Sequence, residues 1–181
     1  MEKILSSPKL KKVLRKYKKK IEKDLEIKIK EEKNEIIIEG DDAYNEYLGR
    51  NILEATDMGF KVEDSLMLLN EDHMFEQIKI RDHARPSRVN TVRGRVIGRE
   101  GKAKKVVEDL TGCSIVIHDN IIGIIGKTEN VDLASRAVKS IMKGSPHSSV
   151  YTLLEKSQSR LKEAKREQEE FEEEMNRKEK E

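Results

Sequence analysis

Two glycines separated by two residues form the turn Gly98-Arg-Glu-Gly101, in a strongly basic part of the chain. The residues before the turn, Ser87 to Ile97, and those after it, Lys102 to Leu110, have the spacing of apolar side chains typical of helices. A glycine pair between two helices provides backbone conformations that other residues adopt poorly. The turn therefore favours a fold in which two short helices meet at a tight loop.

Glycine turns before a helix commonly hold phosphate, because the backbone approaches closely and the helix directs free N–H groups at it. A Walker-type nucleotide loop requires Ser or Thr after Gly-Lys and a glycine at position 96, but this chain has Ala103 and Val96 there. A dinucleotide-binding loop also requires that glycine, directly after a strand. The form that remains is the Gly-x-x-Gly loop that clamps a single-stranded nucleic-acid backbone.

The charge distribution favours a polyanionic partner. Ten Lys or Arg residues and only two acidic residues lie between Lys79 and Lys105, although the whole chain of 181 residues has a net charge of only +2. Such a block is the electrostatic footprint of nucleic-acid binding. A second basic run, Lys9 to Lys23, is more typical of a solvated helix face.

The periodicity predicts a mixed α+β chain in three parts. The first part, from Pro8, has the predicted order α-β-β-α, with a hairpin turn at Glu32-Lys33-Asn34. The second has the order β-α-α-β-β-α. The first order matches the last two-thirds of the second, which indicates an internal repeat whose first copy lacks the glycine loop. The third part is one long charged helix. We place the boundaries at 1–72, 73–146 and 147–181.

The segment from about Phe75 to Lys143 resembles a type I KH domain. The resemblance rests on Arg95-Val-Ile-Gly-Arg-Glu-Gly, on the following Leu110-Thr-Gly, and on the order of the elements. Arg93-Gly-Arg-Val-Ile-Gly-Arg-Glu-Gly-Lys and Gly144-Ser-Pro-His-Ser-Ser-Val-Tyr resemble the archaeal KH-domain rRNA-processing proteins. These are the counterparts of the eukaryotic partner-of-Nob-one and Krr-type small-subunit assembly factors. Lys104, where many KH domains are apolar, favours this family over KH domains at large.

The resemblance implies two tandem type I KH-like domains, each with a three-stranded antiparallel sheet and three helices, followed by the charged helix. The first domain is degenerate, because Lys12-Val-Leu-Arg stands where its glycine loop would lie. We expect it to have a structural or protein-docking role.

The predicted RNA site combines the glycine loop, its flanking cations and an apolar groove. Gly98 and Gly101 allow a close approach of the RNA backbone, and the cations lie beside its phosphates. Four apolar side chains form the walls of the groove, although each fits a core position as well: Ile97, Val107, Ile115 and Ile117. About four unstacked bases would lie in the groove, as in KH domains generally. The candidate residues are Arg93, Arg95, Ile97, Gly98, Arg99, Glu100, Gly101, Lys102, Lys105, Ile115 and Ile117.

By resemblance, the chain binds the 3′ region of small-subunit rRNA precursor and contacts the maturation endonuclease and the alpha subunit of translation initiation factor two. Two alternatives remain open: a general single-stranded RNA adaptor in translation or decay, and a protein–protein scaffold with a KH fold. Sequence preference and bound partners would distinguish the general adaptor from the rRNA-processing factor. The intact glycine loop and the basic block argue against the scaffold.

Other chemistry has little support in the residues. The one cysteine and four scattered histidines do not have the spacing of a zinc site, and no nucleophile–base arrangement or acid–base pair stands out. We therefore expect no enzymatic activity, no cofactor, no metal and no small-molecule substrate. The chain has no long apolar stretch and no secretion signal, and we expect a cytoplasmic protein that does not contact a membrane.

Overall fold

The computed structural model describes residues 1–178, and its first part is an α/β unit with a three-stranded antiparallel sheet of order β1-β3-β2. The unit consists of β1 (Glu2–Leu5), α1 (Pro8–Leu25), β2 (Ile27–Glu31), β3 (Glu35–Gly40), α2 (Ala43–Met58), α3 (Val62–Leu66) and a 3-10 turn (Met67–Leu69).

The second part has the same sheet arrangement, in the order β4-β6-β5, and has one more helix between its first two strands than the first part has. It consists of β4 (His73–Lys79), 3-10 turns at Ile80–Asp82 and Pro86–Arg88, α4 (Val89–Ile97), a 3-10 turn at Arg99–Gly101, α5 (Lys102–Thr111), β5 (Ser114–His118), β6 (Ile121–Lys127) and α6 (Thr128–Lys143). The long helix α7 (His147–Lys178) follows.

The predicted order α-β-β-α begins at Pro8 and agrees with α1, β2, β3 and α2, but strand β1 lies before Pro8 and was not predicted from periodicity. The strand has four residues, and it forms because Glu2 to Leu5 pair with β3 along its free edge, with Ile4 opposite Ile36. The segment Glu2-Lys-Ile-Leu has too little apolar alternation to indicate a strand, and in the structure Leu5 is 78% exposed. Pairing with β3, which is distant in sequence, determines the strand.

Helix α1 is one continuous helix where the second unit has α4, the glycine turn and α5. The Ser7 side chain accepts a hydrogen bond from the Leu10 N–H (3.1 Å) at its start, and Pro8 occupies the first turn. Leu10, Leu14 and Ile21 are fully buried on one face. Because Lys12 to Arg15 contains no glycine and lies within this helix, the first unit has no loop of the Gly-x-x-Gly kind.

The two units share local geometry at a constant spacing. The Ile29 N–H donates to Glu22 Oε1 (2.8 Å), and the Ile115 N–H donates to Glu108 Oε1 (2.7 Å). The two donors are 86 residues apart in sequence (115 − 29), and so are the two acceptors (108 − 22). At the same spacing, Gly40 packs against Ile27 and Gly126 against Cys113. From this helix onward the units therefore have one backbone plan.

The units pack against each other through the outer face of the second sheet. Ile125 of β6 belongs to the core of the first unit, and Phe75 and Val116 pack against that core. A Cβ on Gly123 would lie 2.8 Å from Phe60 Cε2 and 3.1 Å from Phe75 Cε2. The second sheet is thus covered on both faces, by its own helices on one side and by the first unit on the other.

Helix α7 begins as part of the second unit and then leaves it. Val150 and Leu154 are 3% and 1% exposed and lie in the second core. From Lys162 onward, every side chain that the structure describes is exposed. The predicted boundary at 146 coincides with the start of the helix, but its first turns pack with the preceding unit. Within residues 1–178, the structure contains no helix long and apolar enough to cross a membrane.

Candidate nucleic-acid interface

The two loop positions, 98 and 101, are occupied by glycine for different structural reasons. Gly98 ends α4 with a φ of 73°, and a Cβ there would lie 2.5 Å from Ala103 Cβ and 2.7 Å from Ala103 N. Gly101 has a φ of 77°, but no atom lies within 4 Å of the position of its Cβ. Gly98 is therefore required by contact with α5 as well as by its dihedral angle. Gly101 leaves open space beside the loop.

The loop residue Glu100 also has a left-handed backbone, with a φ of 54°. Its side chain is 77% exposed, and its carboxylate lies 3.9 Å from Lys102 Nζ, which is equally exposed. An exposed pair at this distance contributes little energy, so Lys102 remains available to an anionic ligand.

Cations and the start of α5 surround this open space. Arg99, Lys102 and Lys105 are exposed, and α5 begins without a side-chain cap on its first N–H groups. Uncapped N–H groups and the helix dipole attract anions. Lys104 differs from its neighbours because its Nζ pairs with Glu108 at 3.0 Å. Arg99, Lys102 and Lys105 are therefore exposed to solvent, whereas Lys104 is held along α5 by its pair with Glu108.

The apolar candidates divide into surface and core. Ile97 and Ile117 are half-buried, whereas Ile115 is 1% exposed and lies among the core residues, as does Val107. Only Ile97 and Ile117 present side-chain surface that a base could contact. Ile115 supports the strand from beneath.

Arg93 and Arg95 do not lie together. Arg93 Nη1 donates to the Asp119 carbonyl (3.3 Å) in the β5–β6 turn. Arg95 donates through Nε to the Ile141 carbonyl (3.3 Å) and through Nη2 to the Ser145 carbonyl (3.0 Å). Residues two positions apart in an α-helix are about 200° apart around its axis, so these arginines lie on opposite sides of α4. Arg93 lies on the side of Ile97, and Arg95 faces the junction of α6 and α7.

Sequence reasoning missed Ala103, which is 5% exposed and packs against Gly98. A bulkier side chain at 103 would push α4 and α5 apart at the loop. The one sequence signal was that a small residue follows Gly101-Lys102, and this signal counted only as evidence against a nucleotide loop.

The fold and the loop define a class, the type I KH domain. Residues 74–159 match the family model of the eukaryotic type KH domain (KH domain type I), in the version for the second domain of PNO1. A KH domain-containing protein of Methanocaldococcus jannaschii is 33% identical over 154 residues, which are 82% of this chain and 68% of the relative. The chain belongs to the family of KH-domain RNA-binding proteins that includes this archaeal protein, archaeal Dim2 and the eukaryotic pre-rRNA-processing protein PNO1.

Two further relatives agree with this assignment, which confirms the resemblance found in the sequence. The pre-rRNA-processing protein pno1 of Aspergillus oryzae is 34% identical over 119 residues, 64% of this chain and 46% of that protein. The chain thus spans about half the length of this eukaryotic relative. A Pyrococcus horikoshii structure, described as a complex of a/eIF2alpha, aDim2p and rRNA, superposes with a TM-score of 0.75 at 31% identity, covering 87% of this chain and 93% of that one.

Proposed function

We propose that the second unit binds single-stranded RNA in a groove that begins at the Gly98–Gly101 loop. The observation that carries this proposal is the open space at Gly101, beside three exposed cations and the uncapped start of α5. Phosphates contact the loop, Arg99, Lys102 and Lys105, and about four unstacked bases lie along the groove. Phosphate contacts position the strand, and contacts with base edges provide selectivity.

The edge strand β5 supplies the groups that read the bases. In an edge strand of an antiparallel sheet, the backbone groups of alternate residues point away from the sheet. The Ile115 N–H points outward but is bonded to Glu108, and Ile117 is the next residue of that set. Its free N–H and C=O, next to its half-buried side chain, are the groups that bond a base edge.

The RNA is the 3′ region of the small-subunit rRNA precursor, and the chain holds it during processing. The complex from Pyrococcus horikoshii supports rRNA and the alpha subunit of initiation factor two as partners. The rRNA maturation endonuclease is a further partner that we propose from the resemblance of the sequence to the rRNA-processing proteins. A general RNA adaptor would have the same groove but no preference for this sequence.

The first unit, residues 1–72, acts as a degenerate KH domain that does not clamp RNA. Residues 12–15 lie 86 positions before the loop residues 98–101 and are equivalent to them. Helix α1 is unbroken there, so the first unit lacks a phosphate-holding turn. Residues 73–146 form the RNA-binding domain, and residues 147–181 form a charged extension whose first turns complete the second core.

Fluorescence anisotropy with an RNA of the small-subunit 3′ end, against a scrambled RNA at two salt concentrations, tests the proposal. Gly101→Asp places a negative charge in open space, and Asp is among the residues that best tolerate a left-handed backbone. We expect at least a tenfold loss of affinity. Arg15→Asp, at the equivalent position of the first unit, is the matched control and should change affinity less than threefold.

Circular dichroism and thermal unfolding verify that both variants are folded. Equal binding to the two RNAs would leave only a general adaptor. If Gly101→Asp binds as tightly as the wild type, the groove is not the RNA site.

A further inference from the structure

A second basic surface lies on the other side of α4 from the groove. It is an open cleft of about 550 Å³ between the segment after β4, helix α4 and the end of α6. Ala84, Val92 and Met142 form its apolar floor, and four cations surround it: Arg85, Arg88, Arg95 and Lys143. We propose that this cleft, named here the α4–α6 cleft, binds a flanking nucleotide of the same RNA through its phosphate.

The charges of the cleft favour an anion. None of its lining residues is acidic, and the nearest acidic residue in sequence, Asp82, lines a different depression with Glu76 and Lys139. Arg95 is partly committed, because its guanidinium donates hydrogen bonds to the Ile141 carbonyl of α6 and the Ser145 carbonyl just beyond it. Arg85 and Arg88 are exposed and, with Lys143, leave a positive field that no carboxylate of the lining cancels.

The size and floor of the cleft favour a nucleotide over a bare ion. Pockets for small ligands have volumes of about 300–1,000 Å³ and combine an apolar surface with a few polar groups. The half-buried and buried side chains of the floor provide a surface for a base or ribose, and the arginines at the rim can hold a phosphate in a bidentate manner.

The position of the cleft suits a strand that continues beyond the groove. The cleft runs along α4 from Arg88, which precedes the helix, to Arg95, and the nine residues of α4 separate Arg88 from Gly98 by about 14 Å along the helix axis. A bound tetranucleotide fills the groove, and a longer strand can pass around α4 to the cleft. This inference rests on the proposed RNA-binding function.

Binding of RNAs of different length separates the two sites. The probes are the four-nucleotide core and the same core extended by four nucleotides on its 5′ side, its 3′ side or both. The test variant is Arg85→Gln/Arg88→Gln, which leaves Arg95 in place at the end of α6. The matched control is Lys28→Gln/Lys33→Gln, which removes the same charge from exposed positions of the first unit.

We expect the test variant to bind at least one extended RNA about tenfold more weakly and the core less than twofold more weakly. The slope of log affinity against log salt should become less steep by about 0.7 for each phosphate that the variant no longer neutralises. The control should bind every probe within twofold of the wild type.

Three outcomes would overturn the inference. The first is binding of all extended RNAs within twofold of the wild type. The second is an equal loss for the core and the extended RNAs, which indicates a general field effect. The third is an unchanged RNA affinity with loss of binding to poly-glutamate, which indicates an acidic protein partner. Gly101→Asp reports on the groove independently, so the proposed function can stand when the cleft fails. A wild type that binds no RNA would refute both.

Discussion

At the scale of single residues, the two loop glycines provide different things. Gly98 keeps α4 and α5 in contact at Ala103, whereas Gly101 leaves open space beside the loop. The same residue type therefore has a packing role at one end of the loop and, in the function proposed above, a binding role at the other.

Alanine substitutions should separate these roles. Gly98→Ala places a methyl group 2.5 Å from Ala103 Cβ at a φ of 73°, and strain plus overlap should lower the free energy of unfolding by about 2–4 kcal/mol. Gly101→Ala meets no atom and should lower it by about 1 kcal/mol, the cost of a left-handed alanine. Urea denaturation measures both, and equal losses would contradict the distinction.

Cys113 is a buried residue with a predictable pH dependence. Burial raises the pKa of its thiol to about 11, from an ordinary value of 9.0, and the neighbouring Glu108 acts in the same direction. Because the unfolded thiol ionises first, its neutral state in the fold contributes stability below pH 9, and this contribution is lost as the pH rises towards 11.

Two measurements test this behaviour. At pH 8 the native thiol should react with a disulfide reagent at least a hundredfold more slowly than the unfolded thiol, because it is buried and protonated. Between pH 8.5 and 10.5 the wild type should lose more free energy of unfolding than Cys113→Ala. Parallel pH curves for the two proteins would contradict the pKa shift.

At the scale of elements, Glu108 joins α5 to β5 next to the groove. Its carboxylate accepts the Ile115 N–H through Oε1 (2.7 Å) and pairs with Lys104 (3.0 Å). The bond occupies one outward-pointing donor of the edge strand and fixes where the strand begins relative to the helix. Glu22 makes the corresponding bond to Ile29 in the first unit.

Glu108→Ala should therefore destabilise the chain by about 1–3 kcal/mol, the cost of leaving a shielded N–H without a partner. Asp109→Ala, an exposed neighbour on the same helix, is the control and should change the free energy by less than about 0.5 kcal/mol. Chemical denaturation measures both, and equal effects would show that the helix–strand bond has no stabilising role.

At the scale of the whole molecule, the two units share an apolar interface. Phe60 is 4% exposed and meets Phe75 edge-to-face, with ring centroids 5.9 Å apart. Gly123 allows this approach because its missing side chain leaves room for the Phe60 ring. The second sheet has no exposed apolar face as long as the first unit covers it.

Phe60→Ala should lower the free energy of unfolding by about 3–5 kcal/mol and divide one cooperative transition into two. Leu153→Ala, at an exposed position, should change it by less than about 0.5 kcal/mol. Circular dichroism and calorimetry give the number of transitions. A single transition in the variant would mean that other contacts are sufficient to couple the units.

Local pattern determined most of the element order. Period-two alternation predicted the hairpin of β2 and β3, the predicted order α-β-β-α included α1 and α2 on either side of it, and the glycine turn predicted the break between α4 and α5. These features depend on residues near each other in sequence, so they can be predicted from the sequence without knowledge of tertiary contacts. Strand β1 was not predicted, because its pairing partners lie 30 to 36 residues away in sequence.

The sequence by itself determined that this chain has a Gly-x-x-Gly loop, a basic block and a repeated α/β plan, because composition, spacing and turn residues specify them locally. Tertiary structure alone decided which candidates share a surface. It brought Arg93 to the β5–β6 turn and Arg95 to the end of α6, and it buried Ile115. The physical reason is that the orientation of a side chain depends on the elements packed around it, and these come from distant parts of the chain.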